Sequence, residues 1–124
     1  MAAFDFAGVA ATLLRDGTSD VVPSTSGPVR VDGHTVGVAR MDRPPPHRGE
    51  VHPDGDELLY LVEGRAEVVL DDGDQYHVGT ETRFPFAAGE GFVVPRAVWH
   101  RLEFDAPVHL VFVTPGPASG HRPL

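Results

Sequence analysis

Four side chains carry the chemistry this sequence offers: Glu50, His52, Glu57 and His100. The first three lie in the run Glu50-Val51-His52-Pro53-Asp54-Gly55-Asp56-Glu57. On an extended strand, residues two apart point to one face, so Glu50 and His52 project together with Cα atoms roughly 6.5–7 Å apart. The Pro-Asp-Gly turn reverses the chain, and Glu57 opens the next strand beside them. With Glu57 facing inward, Leu59 and Leu61 do so too, while Leu58, Tyr60 and Val62 face the other way. Apolar residues on both faces describe a strand covered on both sides. A carboxylate and an imidazole are costly to bury there unpaired, and a shared divalent metal removes that cost. His100 closes a second run, Gly89 to His100, in which a strand enters a Pro turn and a new strand sets His100, Leu102 and Phe104 on one face.

The rest of the inventory points the same way. The chain has no Cys, no Lys and no Asn, and its serines are Ser19, Ser24, Ser26 and Ser119, all in turn-rich segments or the tail. Thiolate chemistry and Schiff bases are therefore excluded. The reactive types left are His, Asp, Glu, Tyr and Arg. A net charge of −8, with all ten positive charges scattered as Arg, argues against nucleic acid and anionic membranes as partners. No apolar run has the length of a membrane span and the N-terminus has no basic region before an apolar one, so the cytoplasm is the expected compartment.

The elements that must position these residues are strands. Only the beginning reads as helix: Asp5 caps a segment whose Phe6, Val9, Ala10, Leu13 and Leu14 recur at helical spacing, ended by Asp16-Gly17. From Val29 onward short β-type runs alternate with turn signals. They are Val29–Val31, His34–Met41, Glu50–His52, Glu57–Glu63, Arg65–Leu70, Tyr76–Val78, Arg83–Phe86, Gly91–Val94, Trp99–Phe104 and Val108–Thr114. Many short strands at even spacing describe an all-β sandwich or barrel. The organisation expected is a helix and loop over residues 1–28 packing on the barrel, a β-barrel over 29–115, and a Pro/Gly-rich flexible tail over 116–124.

The two runs, in this order and about 45 residues apart, resemble the two motifs of the cupin superfamily. In the first motif His52 takes the second His, Glu57 follows after four residues, and Gly64 closes after six more. In the second, Gly89, Pro95 and His100 stand at the family spacing. Glu50 stands where the first motif has a His and Pro44 where it opens on Gly; Ala97 and Phe104 replace the second motif's Gly and Asn. The resemblance implies an all-β jelly-roll barrel, the double-stranded β-helix. It also implies one divalent metal ion (Fe, Mn, Ni or Zn) on Glu50, His52, Glu57 and His100.

Three ligand sets follow. Glu50 as fourth ligand gives two carboxylates and two neutral imidazoles, whose charge cancels that of the ion. Without Glu50, a two-His, one-carboxylate triad remains, which suits Fe(II) and oxygen. His47, three residues before Glu50, is an alternative fourth ligand. The function implied is a metal-dependent dioxygenase or isomerase/lyase acting on a small polar metabolite, with Glu57 as ligand and Glu50 as ligand or general base. The alternative is a non-catalytic cupin that binds or senses a small molecule; no DNA-binding unit accompanies the barrel pattern. A homodimer is the expected assembly.

Other residues read as structural. His34, His77 and His121 belong to surface or loops, Tyr60 packs outside the barrel, and Trp99 and Phe92 are core or pocket wall. His109 and Arg40 are placed between cavity and solvent, and Asp71-Asp72-Gly73-Asp74 is a hairpin turn.

Overall fold

The computed structural model describes residues 2–24 and 29–124. Its strands are β1 (Val9–Leu14), β2 (Ser19–Pro23), β3 (Gly33–Met41), β4 (Glu50–Val51), β5 (Glu57–Glu63), β6 (Arg65–Asp71), β7 (Glu81–Ala87), β8 (Gly91–Val94), β9 (Trp99–Glu103), β10 (Val108–Gly116) and β11 (Gly120–His121). One antiparallel sheet has the order β2-β1-β3-β10-β5-β8, the other β11-β4-β9-β6-β7. This is the all-β, double-sheet jelly-roll architecture the sequence implies.

Alternation along the strands builds the core. Leu59 and Leu61 of β5 and Val108 and Leu110 of β10 meet Ala66 and Val68 of β6 and Phe86 of β7, all buried. The outward residues of β5 behave otherwise. Leu58, Tyr60 and Val62 are 44%, 41% and 38% exposed, so this strand is covered on one face and not on both. Tight turns are set by backbone chemistry. Gly64, between β5 and β6, has φ +94°, and a Cβ there would meet the Pro107 carbonyl at 2.8 Å, so only glycine closes this turn.

The N-terminal helix is not formed. Residues 9–14 are β1, paired with β2 (Ala10↔Val22, Thr12↔Asp20) and with β3 (Ala11↔Val36, Leu13↔His34). Buried Ala10 and Thr12 alternate with the exposed Leu13, a period of two. A weakly amphipathic hexapeptide gains little as a helix, whereas hydrogen bonding to strands on both sides satisfies its whole backbone. The segment thus extends the first sheet.

The end of the chain also departs from the expectation of a loose tail. β11 pairs with β4 (Gly120↔Val51, His121↔Glu50), and Arg122 is fully buried. Its guanidinium donates to both Asp71 carboxylate oxygens at 2.8 Å, its Nε donates to the Asp74 carbonyl at 2.7 Å, and it lies 4.4 Å over the Trp99 ring. Burial raises the Asp71 carboxyl, but Arg122 and the Gly73 and Gly79 N–H groups outweigh it and hold it below its ordinary value. A single bidentate pair inside the protein anchors a segment whose Pro and Gly content suggests fraying.

Two short runs are not strands. Val29–Val31 has no ladder, and at Tyr76–Val78 the Asp74 carboxylate takes the N–H groups of Tyr76 and His77 at 2.9 Å, donors a ladder would need. No helix of the described residues is long and apolar enough to cross a membrane.

Ala97, in the Pro turn before β9, has φ +60°, a left-handed conformation that costs a Cβ-bearing residue about 1–2 kcal/mol. Replacing it with Gly relieves that cost and loses part of the gain through the freer unfolded chain. Ala97→Gly is expected to raise stability by about 0.5–1 kcal/mol in urea denaturation; a destabilised variant would show that the turn is not strained.

Candidate metal centre

Both sheets contribute to one cluster. β4 and β9 pair with Glu50 directly opposite His100, which places these two side chains on the same inner face. Glu57 opens β5 on the facing sheet with its side chain inward, and His52 lies just after β4 at the start of the reversing turn. One donor atom from each of Glu50, His52, Glu57 and His100 lies within 4.8 Å of all the others. His52, Glu57 and His100 are buried, at 5%, 4% and 2% exposure, and Glu50 is half-buried.

The hydrogen bonds around the cluster decide what each ring nitrogen can do. His100 Nδ1 is 3.2 Å from the Val98 carbonyl, which can only accept, so Nδ1 carries the proton. In a neutral ring, Nε2 is then a lone pair, yet it faces Glu57 Oε1 at 3.1 Å and Glu50 Oε1 at 3.3 Å. His52 Nδ1 is 3.1 Å from the Ser119 hydroxyl, and its Nε2 is buried with no hydrogen-bond partner, 3.3 Å from Glu57 Oε2 and 3.7 Å from Glu50 Oε1. Lone pairs set against carboxylate oxygens repel. His100 therefore takes a second proton or shares a cation with the carboxylates, while His52, whose Ser119 partner can donate or accept, meets Glu57 through a proton on Nε2 or through that same cation. The donor set fits the shared cation: two imidazole nitrogens and two carboxylates, held from behind, suit Mn, Fe, Ni or Zn.

Glu57 is held most firmly. Thr114, on the inner face of β10, donates from its hydroxyl to Glu57 Oε2 at 2.6 Å, leaving Oε1 toward His100. Glu50 is divided between two groups: Oε1 faces the cluster, and Oε2 faces His121 Nε2 at 3.2 Å and His47 Nε2 at 3.8 Å. His47 does not join the four-donor cluster. Its Nδ1 accepts the Gly49 N–H at 3.1 Å, so a neutral His47 keeps its proton on Nε2, where it can donate to Glu50 but offers no lone pair to an ion. Burial, the largest influence on His47, lowers its pKa and favours that neutral form.

Thr114, Ser119 and His121 are the residues that sequence reasoning missed. Thr114 was legible, since it continues the inward alternation of Leu110 and Phe112. Ser119 and His121 had no local signal: they reach the site only because β11 returns to β4. His121, read as a surface residue, faces Glu50. His34 and His77 are exposed, as expected. Ala39, Met41, Leu110 and Phe112 line the cavity, so Arg40 and His109 lie on the opposite face by alternation, Arg40 exposed and His109 half-buried with its Nδ1 shut off from solvent.

The cluster sits at one end of a cavity of about 230 Å³ walled by Ala39, Met41, Leu59, Leu102, Leu110 and Phe112. A larger groove of about 760 Å³, bounded by Arg65, Glu67, Arg101 and Glu103, is more open. Arg101 and Glu103 already pair with each other there at 3.0 Å, so it offers no comparable donor set.

The family model described as "Cupin domain" (Cupin_2) matches residues 39–114. A curated relative, the polyketide synthase CurC of Streptomyces cyaneus, is 37% identical over 76 residues, covering 56% of this chain and 44% of that protein. Among solved structures, an oxalate oxidase superposes with a TM-score of 0.54 at 18% identity, covering 70% of this chain and 45% of that one. The oxalate decarboxylase of Bacillus subtilis, a protein with Mn(II) centres, superposes with a TM-score of 0.55 at 21% identity, covering 71% and 23%. The chain thus spans less than half the length of each, and at these identities the structural likeness is one of fold.

Without metal, the cluster titrates as a unit. Burial lowers the His52 and His100 pKa values, but Glu50 and Glu57 outweigh it and raise them from 6.5 to about 9 and about 10. For the carboxyls, burial raises the pKa, while the histidines outweigh it and hold Glu50 well below, and Glu57 below, the ordinary 4.5. The histidine contribution to stability is complete below pH 6.5 and is lost as pH rises through about 9 and 10. The carboxylate contribution is present above pH 4.5 and is lost as pH falls through the lowered values. The melting temperature of metal-free protein is expected to peak between these limits and to fall on the alkaline side. Adding Mn(II) at pH 7 should release protons from both rings, read with an indicator dye in weak buffer; metal uptake without proton release would contradict this account.

Proposed function

The chain belongs to the cupin family, and from that premise we propose that it is a metal-dependent enzyme acting on a small molecule held inside the barrel. One observation carries this reading. Four side chains able to ligate a metal converge at one end of a largely apolar cavity, with a buried imidazole nitrogen, His52 Nε2, that has no hydrogen-bond partner.

In this reading His52, His100, Glu57 and Glu50 hold the ion. When bound, a divalent metal there supplies Lewis-acid polarisation of a substrate oxygen and, as Mn or Fe, one-electron chemistry. The chain's own residues do the rest. The Val98 carbonyl fixes the His100 tautomer and Ser119 holds His52 Nδ1, which keeps both Nε2 atoms turned to the centre. Thr114 orients Glu57. Glu50 is the half-exposed member and already divides its oxygens between the centre and His121, so it is the group placed to accept a substrate proton. The Leu59, Leu110 and Phe112 walls give the rest of the cavity an apolar lining. Oxygen-dependent cleavage and isomerase or lyase chemistry both fit this set. The likeness to a protein named for polyketide synthesis supports a small organic molecule as substrate.

A second reading, a non-catalytic binder, is favoured by one observation: the same four residues satisfy one another as two imidazoliums and two carboxylates. Metal content separates the two. The enzyme reading expects close to one Mn, Fe, Ni or Zn per chain by elemental analysis. It further expects loss of metal affinity by at least tenfold in Glu57→Gln and His100→Ala, and a smaller loss in Glu50→Gln. A protein that takes up none of the four ions would overturn it.

A homodimer belongs to the same proposal. Its support is the outward apolar face of the first sheet, where Leu58 pairs with Val93 on β8 and with Val113 on β10, and Tyr60 with Val111. Light scattering should give a dimer that Tyr60→Lys dissociates; a monomer at tens of micromolar would count against it.

A further inference from the structure

The cavity walls and the charge at their closed end narrow the ligand beyond its being small. Six of the lining side chains, Ala39, Met41, Leu59, Leu102, Leu110 and Phe112, are apolar, and they come from strands of both sheets. The polar groups gather at one end, in Glu50, His52, Glu57 and His100 with His47 and His121 behind them. At about 230 Å³ the space equals that of about eight waters in the liquid, enough for one substituted six-membered ring.

Charge is the second constraint. Two carboxylates and two neutral imidazoles exactly offset a divalent ion, leaving a centre with no net charge to attract an anion. Among the described residues that line the cavity, Arg30 is the one permanent cation, and it is exposed. A ligand that carries a second carboxylate away from the centre would set it against Leu110 or Phe112, with the exposed Arg30 as the one permanent cation on the lining. An apolar ring in the same place meets carbon on every side.

Resting on the metal-centre reading above, we infer that the substrate is an uncharged or singly charged molecule with a ring-sized apolar body and two neighbouring oxygens at one end, such as a phenolic ketone or an enolised diketone. The two oxygens face the His/Glu end and the ring lies between Met41, Leu110 and Phe112. Small dianions are disfavoured, because the centre carries no net charge to hold them and they leave the apolar walls unfilled. The expected ligand therefore differs from the small polar metabolite that the ligand set alone suggests, because the walls and not the donors choose the body of the molecule.

The test uses the full chain loaded with Mn(II), with metal retention after desalting measured first. Binding of 2-hydroxyacetophenone and of oxalate is then compared by calorimetry and by thermal shift. The ketone should bind at least tenfold more tightly than oxalate. Met41→Arg, at the end of β3, places a cation on the wall and should narrow or reverse that ratio by at least tenfold. The wild-type comparison stands by itself should the variant fail to fold. Protein that retains no Mn(II) overturns the metal-centre reading and this inference with it. Loaded protein that binds oxalate as tightly as the ketone, or binds neither, overturns the inference and leaves the metal-centre reading intact.

Discussion

Glu50 and Glu57 are two acids brought into one apolar enclosure with His52 and His100, and the charge they must share there organises what surrounds them. Neither carboxylate takes a hydrogen bond from the backbone, and His100, whose Nδ1 donates to the Val98 carbonyl, cannot turn a neutral Nε2 lone pair on them without repulsion. Added protons or one divalent ion settle the account. Each side chain is accordingly held from behind, by the Val98 carbonyl, Ser119, Thr114 and His121, so that its reactive atom points inward. Such backing is what a metal site requires, and it would serve little purpose for groups that merely filled space.

The jelly roll meets this demand because its two sheets deliver residues distant in sequence to one point. Glu57 and Thr114 arrive on the first sheet, Glu50, His100 and His121 on the second, and His52 on the turn between them. The C-terminal strand is part of that delivery. Arg122, paired to Asp71 and stacked on Trp99, fixes β11 against β4, and β11 in turn holds His121 and follows Ser119. Ser119, His121 and Arg122 lie beyond the stretch matched by the family model, residues 39–114.

Glu50 gives the site its individuality. In place of an imidazole it brings a second negative charge, which lowers the net charge of any divalent centre and weakens its pull on anionic ligands. The apolar walls act in the same direction. The relatives that share its fold do so at about one residue in five, so the likeness extends to the barrel and not to these side chains.

The sequence by itself determined the strand-rich fold and the four central residues. Period-two alternation, turn chemistry and the spacing of His52, Glu57, Gly64, Gly89, Pro95 and His100 are local properties, and local geometry is enough to transmit them. It misjudged residues 5–14, where helical spacing in a short segment lost to pairing with strands on both sides, and the tail, where composition gave no sign of the Arg122–Asp71 pair. Tertiary structure alone brought Glu50 and not His47 into the four-donor cluster, with the Gly49 N–H engaging His47 Nδ1. It alone brought Ser119 and His121 to the centre and left Leu58, Tyr60 and Val62 uncovered. These outcomes depend on contacts between residues tens of positions apart, and no pattern along the chain records which distant partner a side chain will meet.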